Sequence, residues 1–369
     1  MYQRIAFASC FVLAALSQSP RARAATYTAD CGTNGASSIV QNQLNAIASS
    51  PSNTVQVTGT CVGDLTISRA DRLTITGLVV TGAVSVSNSI QVSLLTARIN
   101  GQVFISNSRP TQLNAIAVTG WLDITSGSKV SAAALTVTPW TDSSGTHDPE
   151  IDCTGQSECT FSGLTLTGMG TARGTGNAGL LAASASRMTV NGATISGFDV
   201  GVQVWNNATA FLTPYCSSVN IQSNLTTGVY VADGGIVKIE GQTAADAIAS
   251  GCSGPIIVGI SGNGSYGVLA DGGGNAYLYL TNIQSHSIDG IRVQHGSTVR
   301  VRSSTIDAAS SSGRSARVAS GANLYFDEQL NGPIAGSTLA GPVCVTGNSN
   351  VDAGNSSTVV NITNTCGVP

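Results

Sequence analysis

Four side chains capable of acid–base chemistry lie within six residues of one another: His147, Asp148, Glu150 and Asp152. An imidazole beside carboxylates can accept and release a proton, so this segment is a candidate catalytic site. The alternative is a solvated polar loop. Two further histidines, His286 and His295, lie near Asp289, and a paired His–Asp would act as a general base. No zinc-type spacing is present, so we predict no metal and no cofactor, although carboxylate oxygens would suit calcium.

Six longer side chains form a second candidate site, for a sugar polymer. They alternate with apolar residues in the C-terminal half of the chain: Lys238, Tyr277, Tyr279, Arg300, Arg302 and Tyr325. A spacing of two is typical of a strand with one buried side, so these side chains should point outward. The same argument places Gln203, Tyr230, Arg292 and Arg317 in one outward row. Aromatic rings and arginines suit sugar rings and carboxylates, whereas the alternative is an ordinary strand surface.

A 19-residue repeat must position the residues around the first site. Its four copies begin at Gly63, Gly82, Gly101 and Gly120. Each copy opens with two apolar residues two positions apart: Leu65/Ile67, Val84/Val86, Val103/Ile105 and Leu122/Ile124. Further apolar pairs follow, so each copy predicts three short strands. Because no single copy can bury its inner side chains alone, the copies should stack as parallel coils around one core.

Glycine-led coils continue beyond a break at Pro139, starting at Gly179, Gly201, Gly228, Gly267 and Gly290. Residues 36–50 have the apolar spacing of a short amphipathic helix, which would cap the open end of the first coil. The predicted organisation is a removed signal segment at 1–24, a helical cap at 25–54, about twelve coils over 55–326 with an insertion at 139–177, and a C-terminal cap at 327–369.

The glycine-led coils, the Gly-Ile-x-Val pattern at Gly290 and the Asn-Thr-Val-Gln-Val segment at Asn53 resemble the pectin-lyase-like superfamily of secreted, bacterial-type β-helix repeat proteins. The resemblance covers roughly residues 55–326 and implies an all-β, single-stranded right-handed parallel β-helix, a handedness that parallel crossovers also favour. Enzymes of the superfamily carry their sites on an outer strand face. The motifs of its polygalacturonase-like branch are absent, and His147-Asp148-Pro149-Glu150 matches the composition, but not the order, of the Asp-Pro-His-Asp motif of mannuronan epimerases.

Cysteine use and the N-terminus predict a secreted protein, periplasmic or extracellular. Arg4, the apolar run that follows it and Ala22-Arg23-Ala24 are typical of a secretory signal, which also contains Cys10. Eight cysteines remain, and an even number in a secreted chain favours disulfides. Because only neighbouring coils touch, we expect four pairings: Cys31–Cys61, Cys153–Cys159, Cys216–Cys252 and Cys344–Cys366.

The charge pattern narrows the partners. Only 9% of residues are charged, the net charge is −3 and the lysines are Lys129 and Lys238, so we predict no nucleic-acid partner and, after signal removal, no membrane span. The main functional hypothesis is a non-catalytic β-helix that is structural, adhesive or binds an extended polysaccharide or cell-surface glycan. The alternative is a polysaccharide-active enzyme, namely a pectate- or alginate-type lyase, an epimerase or a glycoside hydrolase, with its site on the outer face.

Overall fold

The computed structural model describes residues 24–47, 52–142, 145–147, 150–170, 177–307, 313–327, 337–352 and 362–363. Apart from one hairpin, its strands pair in parallel in two long sheets of 13 and 25 strands. The larger sheet covers two sides of the molecule, because two ten-residue strands bend from one side to the other. The chain therefore winds around three faces as a right-handed parallel β-helix.

The first face consists of the 13-stranded sheet: Leu65–Ser68, Val84–Ser87, Val103–Ser106, Leu122–Thr125, Ile151–Cys153, Ala178–Ala182, Val200–Val204, Thr227–Val231, Tyr266–Ala270, Asp289–Val293, Arg314–Val318, Val343–Val345 and Ile362–Thr363. The second face contains Thr26–Asp30, Asn53–Thr58, Leu73–Thr76, Val92–Leu95, Thr111–Asn114, Lys129–Ala133, Thr209–Thr213, Ile236–Glu240, Asn275–Tyr279, Thr298–Arg302, Asn323–Phe326 and Asn350–Asp352.

The third face contains Gly35–Ala36, Cys61–Val62, Val79–Thr81, Arg98–Asn100, Ala117–Thr119, Thr136–Thr138, Val219–Gln222, Val258–Ser261, Thr281–Gln284, Thr305–Asp307 and Thr338–Leu339. The bent strands Glu158–Thr167 and Arg187–Ser196 contribute to both the second and the third face. A hairpin of Trp140–Asp142 and Gly145–His147 pairs antiparallel outside the coils. Among the described residues there are two helices, Ser38–Ile47 and Ala244–Ala249.

The core is built from inward ladders, one side chain per coil. The predicted ladder on the first face is confirmed, because Ile67, Val86, Ile105 and Ile124 are register partners and are at most 2% exposed. Cys153 continues this ladder into the next coil. Apolar residues two positions apart point to the same side of a strand, and here that side faces the core. β-Branched side chains stack well there on parallel strands.

The 19-residue period is fixed by a stack of glycines as well as by the core. Gly101 has a φ of 153°, and a Cβ built on it would lie 2.3 Å from the carbonyl oxygen of Gly82 in the preceding coil. Gly120 meets the carbonyl of Gly101 in the same way, at 2.2 Å. A side chain at these positions would force neighbouring coils apart, so each copy of the repeat must begin with glycine.

The N-terminal helix covers the first coil. Val40, Leu44 and Ile47 are buried, whereas Ile39 is exposed. The side-chain amide of Gln41 donates to the carbonyl oxygen of Thr66 at 2.9 Å, and its oxygen accepts from the Thr66 N–H at 2.8 Å. Gln41 thus satisfies the backbone groups of the first strand of the first face, as a neighbouring strand would.

The coils extend further than the predicted boundaries. Thr26–Asp30, inside the expected helical cap, already pairs with Asn53–Thr58. Ile151–Cys153 and Glu158–Thr167 form a regular coil within the expected insertion, because cysteine and phenylalanine fill inward positions that Val, Ile and Leu fill elsewhere. Thr338–Leu339, Val343–Val345 and Asn350–Asp352 continue all three faces beyond residue 326.

Disulfides join Cys31 to Cys61, Cys153 to Cys159 and Cys216 to Cys252, and each is a predicted pairing. Cys344 is also disulfide-bonded, but its expected partner Cys366 lies outside the described residues. The same is true of the expected signal segment up to residue 23. In the described part of the chain, no helix is both long and apolar enough to cross a membrane.

Candidate functional site

One row of outward side chains runs along the first face, and we call it the outer column. The register of the parallel strands aligns its members in this order: Phe104, Asp123, Asp152, Leu181, Gln203, Tyr230, Leu269, Arg292 and Arg317. The row predicted from Gln203, Tyr230, Arg292 and Arg317 is part of it. Successive members are separated by one strand spacing of about 4.8 Å. The column is acidic towards its N-terminal end and basic towards its C-terminal end.

The acidic end is an acidic cluster of three residues, Asp123, Glu150 and Asp152. Asp152 lies opposite Asp123 on the adjacent coil, and Glu150 hydrogen-bonds to Asp152. Burial raises the pKa of Glu150 to about 8, with further contributions from the charges of Asp152 and Asp123. Burial and the charge of Asp123 raise the pKa of Asp152 to about 6, and burial also raises that of Asp123.

This cluster has no internal counter-charge. No basic side chain among the described residues forms an ion pair with any of its three carboxyls. Oδ1 of Asp152 is buried without a hydrogen-bond partner. The arrangement favours one shared proton, which Glu150 holds and donates towards Asp152, because like charges this close resist simultaneous ionisation.

Two tryptophans flank the acidic cluster. Trp121 stands one position before Leu122, whose N–H donates to the carbonyl oxygen of Glu150, so Trp121 and Glu150 occupy equivalent positions on adjacent coils. The ring of Trp140, at the base of the hairpin, meets the ring of Trp121 edge to face, with centroids 5.7 Å apart and planes at 87°. The acidic cluster therefore lies beside a rigid aromatic wall of the kind that packs against sugar rings.

The structure unites only part of the first predicted site. Glu150 and Asp152 meet, but their third partner is Asp123, which sequence reasoning missed. The backbone of His147 pairs with Trp140 in the hairpin, while the His147 side chain and the whole of Asp148 lie outside the described residues. Asp123 has a signal in the sequence, since it occupies the outward position between Leu122 and Ile124. The outward position of Asp123 indicates a partner for Asp152 only when residues 151–153 are recognised as a strand of the next coil.

The six residues of the second predicted site lie on the second face, but their rings and cations contact one another. Lys238 Nζ lies 5.6 Å from the ring centroid of Phe211 and 5.7 Å from that of Tyr277. The guanidinium carbons of Arg300 and Arg302 lie 5.3 Å from the rings of Tyr325 and Tyr279, respectively. Coil stacking turns ring faces towards cations in adjacent coils. We call this surface the cation–aromatic ladder, and its rings and cations are partners of one another.

The histidines separate into two different environments. His295 Nδ1 lies 2.6 Å from Oδ1 of Asp271 at the end of the first face. Asp289, the expected partner, instead forms a buried ion pair with Arg314, with Nε 2.8 Å from Oδ1. His286 lies in the interior with its Nε2 3.1 Å from the carbonyl oxygen of Ile260, and burial lowers its pKa.

The described residues contain no group of three or more His, Cys, Asp or Glu side chains that could hold a metal ion.

Comparisons with known proteins place the chain in a fold but not in a family. No family model matches the sequence, and no curated protein matches it either. Among solved structures, it is similar to the A-module of the mannuronan C-5 epimerase AlgE6 from Azotobacter vinelandii, with a TM-score of 0.57 over 89% of this chain and 100% of that one. The AlgE4 A-module from the same organism gives a TM-score of 0.59 over 86% of this chain and 100% of that one. Both share 12% sequence identity with this chain.

The shared property is the parallel β-helix. At 12% identity, the likeness concerns the path of the backbone and assigns no residue of this chain a role.

Proposed function

We propose that the protein is a secreted polysaccharide-active enzyme that hydrolyses glycosidic bonds at the acidic cluster. The observation that supports this proposal is the convergence of Asp123, Glu150 and Asp152 on adjacent coils, with pKa values raised to different extents. Most glycoside hydrolases need two carboxyl groups, one protonated and one ionised. A set of interacting carboxyls whose pKa values are pushed apart by their surroundings meets this requirement at neutral pH.

The roles follow from the order of the pKa values. Glu150, with a pKa of about 8, is protonated at neutral pH and would donate its proton to the leaving glycosidic oxygen. Asp152, with a pKa of about 6, is largely ionised there. It would act as nucleophile or as the base that activates water once the sugar enters between the two carboxyls and breaks the hydrogen bond between Glu150 and Asp152. The negative charge of Asp123 contributes to the raised pKa of Glu150 and so helps to keep the proton on Glu150. Asp123 would thus act indirectly, without contacting the substrate.

The three adjacent carboxyls favour hydrolysis at a neutral sugar over elimination or epimerisation of a uronate. Those two reactions remove a proton next to the carboxylate of a uronate, and the growing charge needs a basic or metal partner. The carboxyls of Asp123, Glu150 and Asp152 would repel the carboxylate of a uronate. We therefore propose a neutral sugar unit at the point of cleavage, held against Trp121 and Trp140.

We also propose that the protein is secreted. The disulfides Cys31–Cys61, Cys153–Cys159 and Cys216–Cys252 join described residues, and such bonds persist in oxidising compartments outside the cytosol. A polymer too large to enter a cell would meet the enzyme there.

One observation favours a second candidate function, that of a non-catalytic glycan-binding solenoid. The cation–aromatic ladder of the second face repeats with the coils from Phe211 to Tyr325 and could follow a regular polymer. Tyr277 is 38% exposed and the Arg300 side chain is 49% exposed, although Arg300 also forms an ion pair with Asp327 at 3.6 Å. Binding there without cleavage anywhere would favour this function over hydrolysis.

The deciding experiment measures cleavage of a panel of neutral and acidic polysaccharides by the mature protein. New reducing ends without ultraviolet-absorbing unsaturated products support hydrolysis. Glu150→Gln should reduce the rate at least 100-fold, because the amide cannot donate a proton in its place. Glu158→Gln is the matched control, since Glu158 is exposed on the second face and forms a surface ion pair with Lys129. Equal rates for the two variants would contradict the proposal.

A further inference from the structure

We propose that Arg292 and Arg317, at the basic end of the outer column, form a subsite for an anionic group of the same extended glycan. The inference rests on the proposed function and deepens it, because it assigns the substrate to polysaccharides that carry carboxylate or sulfate groups away from the cleavage point. The two arginines are register partners on adjacent coils. Their guanidinium groups therefore start from backbones about 4.8 Å apart, an arrangement that repels unless an anion lies between or above them.

Arg292 is oriented by neutral acceptors. Its Nε donates to Oε1 of Gln294 at 2.8 Å, its Nη1 donates to the hydroxyl of Tyr266, and the guanidinium lies over the Tyr266 ring at 5.1 Å. Gln294 in turn donates to Oδ2 of Asp271 at 3.0 Å, while His295 occupies Oδ1 of the same carboxylate. The nearest carboxylate of this network is thus engaged by other groups, and the positive charge of Arg292 is held in place without being neutralised.

Arg317 has no anionic partner. It forms no ion pair within the described residues, and its Nε is buried without a hydrogen-bond partner. The Arg317 side chain is only partly buried, so an anion that approaches the outer face could supply the counter-charge that the described residues do not. One fixed and one unsatisfied guanidinium, side by side on an outer face, match the two oxygens of a carboxylate or a sulfate ester.

The position of this pair on the outer column sets the length of the ligand. Four members of the column separate Asp152 from Arg292, so the two residues are five strand spacings apart, or roughly 24 Å. Leu181, Gln203, Tyr230 and Leu269 lie between them and offer uncharged contacts. Only a chain of several sugar units could reach both ends. A short oligosaccharide bound at the acidic cluster could not also reach Arg292 and Arg317. The arginine pair is therefore suited to a polymer.

Binding can be measured separately from cleavage by using the full mature chain carrying Glu150→Gln. The probes are polygalacturonate for carboxylate, dextran sulfate for sulfate and dextran as the neutral polymer, each in affinity electrophoresis at two salt concentrations. We expect retention by at least one anionic probe, and the probe that retains the protein identifies the group. Arg317→Gln and Arg292→Gln should each weaken that retention about tenfold. Arg98→Gln is the control, because Arg98 is an exposed arginine on the third face.

Stability provides the second measurement. Arg317→Gln removes an unsatisfied donor from beside a like charge, so its melting temperature should equal or exceed that of the parent, and its weaker binding then cannot result from unfolding. Retention by neither anionic probe, or equal weakening by Arg98→Gln, would overturn the subsite. Cleavage of a polysaccharide by the wild-type protein would leave the proposed function standing in either case, so failures of the two proposals can be told apart.

Discussion

Asp152 lies directly opposite Asp123 on the neighbouring coil, and both side chains point away from the core. Like charges in directly opposed positions of a sheet are destabilising, and burial increases the effect. Outward positions are free to vary in a solenoid, so stability alone would favour a neutral residue at one of the two. Groups with perturbed pKa values in such an arrangement are typical of sites with a chemical role.

Catalysis should depend on pH as a bell-shaped curve. Activity requires a protonated Glu150, whose pKa is about 8, and an ionised Asp152, whose pKa is about 6. The rate should therefore rise as pH increases through about 6 and fall as pH increases through about 8. Initial rates of reducing-end formation across pH 4–10 test this expectation. A rate that keeps rising above pH 9 would exclude Glu150 as the proton donor.

Stability should fall with rising pH because of the same cluster. Folding raises the pKa of Glu150 from its ordinary value of 4.5 to about 8. At a pH between these two values, the folded state therefore binds more protons than the unfolded state. Its contribution is present in full below pH 4.5 and is lost as pH rises through 8. Glu150→Gln should flatten this slope and add roughly 1–3 kcal/mol at pH 9. Urea unfolding at pH 5, 7 and 9 measures the difference, with Glu158→Gln expected to leave the slope unchanged.

A charge placed in the inward ladder should abolish the fold. Ile105 is stacked between Val86 and Ile124 and is 1% exposed, so Ile105→Asp buries an unpaired carboxylate. We expect a loss of more than about 4 kcal/mol. Ser106→Asp is the control, because Ser106 is the next residue of the same strand and points outward. Thermal melts followed by circular dichroism compare the two, and similar melting temperatures would show that the register is wrong.

The Asn-x-Ser/Thr glycosylation sequons at Asn207, Asn224 and Asn263 should differ in their use if the protein is expressed in a eukaryotic secretory host. Asn207 lies in an exposed turn, whereas Asn224 and Asn263 are 2% and 1% exposed. The Asn224 amide donates to Oδ1 of Asn263 at 2.9 Å inside the fold, so a glycan on either would remove a core hydrogen bond. Peptide mass spectrometry of folded protein should find a glycan at Asn207 and none at the other two. A glycan on Asn263 in folded, secreted protein would contradict the buried position of this side chain.

Those features of the fold that depend on strand period could be predicted from the sequence. Ile67, Val86, Ile105 and Ile124 recur every 19 residues, so both the strands and their register follow from counting. The coil at 151–167 was missed because Cys153, Cys159 and Phe161 do not look like the aliphatic residues they replace. Once that coil was missed, Asp123 could not be aligned with Asp152.

Buried polar ladders were also beyond sequence reasoning. Ser89, Ser108, Ser128 and Ser157 each accept a backbone N–H from the preceding coil, at 3.1–3.3 Å. In the sequence they look like ordinary turn residues. Only the fold shows that their buried hydroxyls accept hydrogen bonds from backbone N–H groups in the turns of the preceding coil. His295 illustrates the same difficulty, since its partner Asp271 is 24 positions away along the chain but adjacent across one coil.

The hydrogen bonds between Gln41 and Thr66 have a consequence for assembly. The end of a stacked solenoid is a template, and an open first coil would accept the last coil of another molecule. Repeated docking of that kind produces fibres whose length depends on concentration. By occupying both backbone groups of Thr66, the Gln41 side chain blocks end-to-end growth at the first face. We therefore expect the N-terminal helix to hinder such docking at the first face, where Gln41 occupies the backbone groups that an incoming strand would use.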